Sequence, residues 1–348
     1  MKTPWELLKE SKTKIKTTWR IAFVSALVLG LLIHLPVMLS DIPNHDGLSS
    51  MYFDQNMITS GRWFLTVACG FSSYFTIPWV IGLIGLIWLA LTAAVLTEVL
   101  ELTDPVTITV VSGLLVSFPA LASTFAYVFT MDGYMLALFL AVLAVLFTAK
   151  YPRGYLAGAV CLAFSMGIYQ AYLPFTILLC VYKILLYFME EKGWKEKAKY
   201  VCHYLGMGIA GGVLYYVILQ ILLKLQGKVL DTYQGINSME QMGSGMGILA
   251  TIKEMYVDFL AFTVHGNVLV NNIFSLAACI ILVATVVFLV IRSMIWRKWW
   301  KNPAFFVIMI LLGISMPLLT NVILLISPNL TYHLLMRYQW VLYLILMT

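Results

Sequence analysis

Asp41, Asn44, His45 and Asp46, followed by Ser60, Gly61, Arg62 and Trp63, put acid, amide, imidazole and guanidinium groups into one stretch of a chain in which only 11% of residues are charged. A carboxylate in such a stretch can take the proton of an attacking hydroxyl, and a guanidinium can steady a departing phosphate. Further along, Asp132 and Gly133, Tyr169 and Gln170, His265 and Asn267, and Tyr332, His333 and Arg337 interrupt otherwise apolar runs. Each has a plainer reading beside the chemical one. Asp46 suits the N-cap of a following helix, and Arg62 beside Trp63 suits an interfacial anchor. Asp132 before Gly133 suits a turn. Gln170 suits a hydrogen bond between helices, and Gly208 with Gly212 a close helix contact. His265 and His333 read as interfacial histidines.

The elements that must position these groups are membrane helices. Of the 348 residues 61% are hydrophobic, the mean hydropathy is +0.91, and repeated apolar runs reach the roughly 20 residues that cross a bilayer core of about 30 Å. Continuous runs, not alternating ones, predict helices, so the expected fold is an all-α polytopic bundle of about nine to ten spans. Spans are predicted near 20–40, 76–98, 106–128, 134–149, 155–171, 173–189, 201–223, 271–291 and 304–327, with a last one from near 338. An apolar run that starts near Trp340 and stops at Thr348 is too short to span; either the last helix is re-entrant or it is truncated, and a truncated one is the expectation. Residues 1–19 form a basic segment ahead of one transmembrane domain, 20–348. The first apolar run lacks a small-residue cleavage pattern and reads as an anchor.

With the N-terminus inside, the inner segments hold 16 of the 22 Lys and Arg and the outer segments five. The positive-inside rule therefore predicts that orientation. The charge of +6 follows topology and attraction to anionic lipid; no aromatic-interleaved basic patch points to nucleic acid. The cysteines show neither a disulfide framework nor zinc spacing.

This topology places the polar residues on the outer face, where 41–75 and 224–270 form long loops. A helix is predicted from Gly47 to about Thr59, and an amphipathic one from Ile248 to Phe262 after a Gly-rich stretch that could act as a lid. Asp46 and Arg62, 16 residues apart in sequence, would stand roughly 24 Å apart on one straight helix. They can share a reaction centre only if the chain reverses near Ser60 and Gly61; otherwise Arg337 meets the phosphate. No cofactor is demanded, although Asp46, Asp132 and Glu254 could supply oxygen ligands to a divalent cation.

The loop with Asn44, His45, Asp46 and the Ser60, Gly61, Arg62, Trp63 run, then Asp132, Gly133, Tyr134, then Tyr169, Gln170, Ala171, resembles the bacterial GtrII-type membrane glucosyltransferases of the broad GT-C class. Order and spacing match over residues 20–190. The resemblance implies transfer of a sugar, glucose by analogy, from a polyprenyl-phosphate carrier to a cell-surface polysaccharide such as O-antigen. The reaction would run on the outer face of the bacterial cytoplasmic membrane. It implies Asp46 as the catalytic base, with Asp54 as the fallback, and Asn44, His45, Arg62, Asp132, Tyr169, Gln170 and Arg337 as substrate contacts. A transporter of lipid-linked sugars is the competing reading; it would want charged residues inside the spans and an internal repeat. Apart from Arg20 and Glu98 at span ends, Lys183 is the one charge within a predicted span.

Overall fold

The computed structural model describes residues 3, 15–40, 58–69, 77–231, 245–265, 272–327, 331–346 and 348. Among them there is no strand, and the architecture is an all-α polytopic bundle. In chain order the helices are α1 (Thr17–Leu39), α2 (Leu65–Ala68), α3 (Pro78–Val99), α4 (Pro105–Ser117), α5 (Pro119–Phe125), α6 (Met131–Lys150), α7 (Gly154–Ile168), α8 (Leu173–Met189), α9 (Trp194–Gln226), α10 (Gly245–His265), α11 (Ile273–Trp296), α12 (Pro303–Thr320), α13 (Ile323–Ile326) and α14 (Val341–Ile345). Short 3₁₀ turns join several of them.

Seven of the described helices are long and apolar enough to cross a membrane, or eight if α4 and α5 are one broken span. The sequence predicts nine to ten. The difference lies in α7, which has 15 residues and rises only about 22 Å, and in α14, which has five. The chain is thus a multi-pass membrane protein in which α7 is too short to span on its own.

The core is a row of neighbours, α4 on α1, α1 on α3, α3 on α6, α6 on α7 and α7 on α9, with α8 set against α6. Small residues allow the close approaches: the buried face of α1 carries Ala22, Ala26 and Gly30 four residues apart, the spacing that lets membrane helices meet closely. Gly208 and Gly212 do not serve this way. Among the described residues no atom outside the helix itself lies within 4 Å of where their Cβ would stand, and it is Gly211 that packs, against Leu162 and the Ala159 carbonyl. Helical periodicity explains the correction, because 211 shares the inward face with Tyr204 and Met207, whereas 208 and 212 point outward.

The span at 106–128 breaks where the chain demands it. Pro119 has no N–H to give the Leu115 carbonyl, and α4 and α5 meet at 47°. The exposed carbonyls find donors elsewhere. Tyr338 Oη donates to Leu115 O, and His34 Nε2 lies 2.9 Å from Val116 O with its ring stacked on Phe125 at 4.1 Å. In hydrocarbon an unmet carbonyl is costly, so these two side chains make the break tolerable. At the other end of α4, Asp104 caps the helix by accepting from Thr107 N at 2.7 Å, which holds its carboxyl below the usual range.

The two ends of the bundle differ in chemistry. At one end Glu98 accepts from both Lys16 and Lys150 at 2.6 and 2.8 Å, and Lys183 reaches Glu101 at 2.7 Å. Lys183, the charge predicted inside a span, is therefore paired. Asp132 lies in the first turn of α6 and Lys150 ends it, so about 27 Å of helical rise separates this ionic end from the other.

Candidate active site

At the far end of α6 the segment 58–69 folds back into the bundle. Gly61 N donates to Ile58 O at 3.0 Å, closing a turn in which Gly61 has φ +77°, a conformation glycine adopts without strain. The chain does turn at Ser60 and Gly61. Two side chains then hold the turn's carbonyls. Gln170 Nε2 donates to Ser60 O at 3.3 Å and to Tyr215 Oη at 2.9 Å, while Tyr215 Oη donates to Gly61 O at 3.0 Å. Gln170 thus links the 58–69 segment to α9 through its amide.

Arg62 follows this turn. Its Nη1 donates to Tyr134 Oη at 3.4 Å, and its guanidinium lies 5.1 Å from the centre of the Tyr169 ring. Tyr134 and Tyr169 are stacked on each other at 4.3 Å, 10° from parallel, and both are buried. The guanidinium therefore rests on an aromatic floor, where ring faces attract a cation without neutralising it. Trp63 is not an interfacial anchor. It is 7% exposed and meets Phe164 edge-on at 5.3 Å, in a cluster with Leu219 and Leu223 of α9.

Two close approaches dock the segment. Phe64 N donates to Gly167 O at 2.7 Å, and a Cβ on Gly167 would come within 2.6 Å of the Trp63 ring. A Cβ on Gly133 would stand 2.2 Å from Cys69 Sγ and 3.2 Å from Leu65. Arg62 is positioned by the absence of side chains at 133 and 167.

Asp132 lies in the first turn of α6, not in a turn between spans, and is 3% exposed. Its Oδ1 accepts from Gly133 N at 2.9 Å, placing an acid where a helix N-terminus favours one. Asp132, Tyr134, Tyr169, Gln170 and Arg62 therefore meet at one end of α6 and α7. Asn44, His45 and Asp46, with Asp41 and Asp54, lie outside the described residues, as does most of the helix predicted from Gly47. Among the described residues no three His, Cys, Asp or Glu side chains group as metal ligands would.

The family follows from nearly the whole chain. A family model described as glucosyl transferase GtrII matches residues 35–348. The chain belongs to the GtrII glucosyltransferase family. No curated protein and no solved structure matched it. As a glucosyltransferase-family member it must handle a sugar donor and an acceptor, and the Arg62 cluster lies within the matched region.

Arg337 sits elsewhere in this glucosyltransferase. It is 2% exposed and gives Nη1 and Nη2 to the two carboxylate oxygens of Asp258 at 2.7 and 2.6 Å. Nε and Nη2 also donate to Tyr332 O at 3.3 and 3.2 Å. Its plane lies between Tyr332 and Phe262, at 3.9 and 4.6 Å from the ring centres. Asn321 Nδ2 adds a bond to Asp258 at 3.0 Å. Burial pushes the Tyr332 phenol above its ordinary range although Arg337 opposes this, so Tyr332 stays neutral and Asp258 carries the countercharge.

Sequence reasoning missed Asp258, Tyr215 and Gly167. Asp258 had a signal: it follows Glu254 by one helical turn in the amphipathic helix predicted from Ile248 to Phe262, observed as Gly245–His265. Glu254 is exposed, and Asp258 turns inward.

Proposed function

We propose that the chain transfers a sugar, glucose by family, from a polyprenyl-phosphate carrier to a cell-surface glycan on the outer face of the cytoplasmic membrane. The observation that supports this is the Arg62 guanidinium, held by the Tyr134 hydroxyl and the Tyr169 ring at the end of the bundle opposite the basic, Lys-rich one. A donor dissolved in the bilayer can approach such a site sideways, so no nucleotide-binding domain is required.

In this reading Asp46 accepts the proton of the acceptor hydroxyl as its oxygen bonds to the anomeric carbon. The bond from that carbon to the carrier phosphate oxygen breaks, and the phosphate leaves with the electron pair. Arg62 meets the growing phosphate charge, with Tyr134 Oη close by to orient the guanidinium. One displacement inverts the anomeric centre, unlike retention through two closely spaced carboxylates. Asn44, His45 and Asp132 supply hydrogen-bonding groups for sugar hydroxyls, and Tyr169 an aromatic floor. Gln170 acts by holding the Ser60 and Gly61 turn. Arg337, with its donors engaged by Asp258 and Tyr332, shapes the neighbouring wall.

The test supplies membranes with polyprenyl-phosphate glucose and a glycan acceptor and compares the native chain with Asp46→Asn. Loss of transfer of at least about 100-fold, with unchanged amounts of folded protein, is expected for a general base. Undiminished transfer by the variant removes Asp46 from the mechanism, and no transfer by the native chain favours transport of the lipid-linked sugar instead.

A further inference from the structure

At the ionic end of the bundle a cavity of about 620 Å³ runs between α8, α11, α12 and α14. Its walls are mostly apolar, with Leu178, Leu186, Met309 and Leu312 among them, and its rim carries Arg292, Arg297, Ser293 and Trp296. The cavity exists because α11 barely touches the bundle: its described contacts are with α10 and the 3₁₀ turn at Trp299–Lys301. Within a membrane such a gap holds neither water nor vacuum, because apolar walls give water no partners and an empty gap forfeits dispersion contacts. Hydrocarbon must fill it.

Length and charge select the hydrocarbon. Along α8 the cavity runs from Leu178 to Met189, about 16 Å of helical rise, half of a bilayer core of roughly 30 Å. That is the depth of one leaflet. Arg292 and Arg297 are exposed at its mouth, and among the described residues neither has a carboxylate partner. Arg297 Nη1 instead reaches Met189 Sδ at 3.1 Å. Lys298 and Lys301 follow directly in sequence. A donor lipid reacting at Arg62 would carry its phosphate at the other end of the bundle, so it does not satisfy these guanidiniums.

We infer that this cavity is a binding site for an anionic diacyl phospholipid of the leaflet at the basic end. Its acyl chains fill the space between α8, α11 and α12, and its phosphate is held by Arg292 and Arg297. The lipid thereby completes the packing of α11. The exclusion of the donor lipid rests on the reaction proposed for the other face, whereas the cavity and its arginines do not.

The test is native mass spectrometry of the full chain released from nanodiscs of equal phosphatidylglycerol and phosphatidylcholine with matched acyl chains. The native chain should retain the anionic lipid with a preference of roughly 30-fold, the weight of two basic side chains near an anionic surface. Arg292→Gln with Arg297→Gln should bring the preference close to one, and Arg292→Lys with Arg297→Lys should keep most of it. Leu186→Trp, which fills the cavity and leaves the charges alone, should reduce retention of both lipids; it keeps the test open if the double Gln variant misfolds. An unchanged preference in the double Gln variant overturns the inference. So does retention of polyprenyl phosphate, or of a second copy of the chain, in place of the phospholipid.

Discussion

Two arginines in this protein sit in opposite kinds of surroundings. Arg337 is gripped by a carboxylate through two short bonds, by a backbone carbonyl and by two ring faces. Arg62 rests on a phenol and a tyrosine ring, on a segment that enters the bundle through a glycine turn. The first environment neutralises the cation and spends its directional donors on the fold. The second fixes where the cation stands through a hydroxyl and a ring face. In the proposed reaction Arg62 must already be in place when charge develops on the departing phosphate, and such a seat provides that.

The sharpest break of this comparison is the removal of Arg337. Arg337→Ala leaves Asp258, whose side chain is only 23% exposed, with the Asn321 amide but without its countercharge. Losing one partner of a buried ion pair costs about 3 to 5 kcal/mol, and the partial exposure of Asp258 puts the expectation near the lower figure. Thermal unfolding in detergent should show it. The companion variant, Arg337→Met with Asp258→Leu, replaces the pair with apolar bulk and should recover most of that stability, as buried pairs often allow. Its turnover decides the comparison: near-native transfer keeps Arg337 in the architecture, and lost transfer in a stable variant would put it in contact with substrate.

Arg62 should behave in reverse. Arg62→Ala is expected to lower kcat by about 100- to 1000-fold, the usual loss on removing one donor to a developing anion, while the unfolding temperature moves little. Arg62→Lys should recover only part of it, since an ammonium lacks the plane that lies on Tyr169. A variant as active as the native chain, or one that unfolds like Arg337→Ala, would erase the distinction between the two sites.

The next expectation sharpens how the Arg62 site is held. Gly133→Ala places a methyl where Cys69 Sγ now lies, so the 58–69 segment must shift. Overpacking of this kind costs about 1 to 3 kcal/mol, and transfer should fall more than stability because Arg62 moves with the segment. Adding Cys69→Ala removes the obstructing sulfur and should restore transfer. A double variant as impaired as Gly133→Ala alone would show that the close approach of α2 to α6 is not what positions Arg62.

How much of this was legible before folding differs between the two sites. Arg62, Asp132, Tyr169 and Gln170 stand out because polar groups are rare in so apolar a chain, and Gly61 permits the turn that the structure contains. The roles of Gly133 and Gly167 were not legible, since a glycine reveals nothing about which distant ring or sulfur will press against it. The partnership of Arg337 with Asp258 spans 79 residues and depends on how α10 lies against the 3₁₀ segment Leu334–Trp340, which hydropathy does not encode. Among the described residues the count of long apolar helices differs from the predicted spans for a related reason: an apolar run shows what lipid or core will accept, whereas the short α7 shows where a helix stops.

The smallest expected effect concerns Tyr338, the neighbour of Arg337, whose hydroxyl donates to the Leu115 carbonyl that Pro119 cannot serve. If Arg337 belongs to the architecture, its surroundings should include residues whose whole task is to make that architecture affordable in lipid. Tyr338→Phe should then cost about 0.6 kcal/mol, the average of hydrogen bonds between membrane helices, with transfer unchanged. Pro119→Ala restores an amide that can bond Leu115 O within one continuous helix, so in that background Tyr338→Phe should cost almost nothing. The two substitutions are therefore coupled, and a double-mutant cycle of unfolding free energies measures the coupling directly. Additive costs would mean that the Tyr338 hydroxyl does not serve the carbonyl left by the proline, and the break between α4 and α5 would need another source of support.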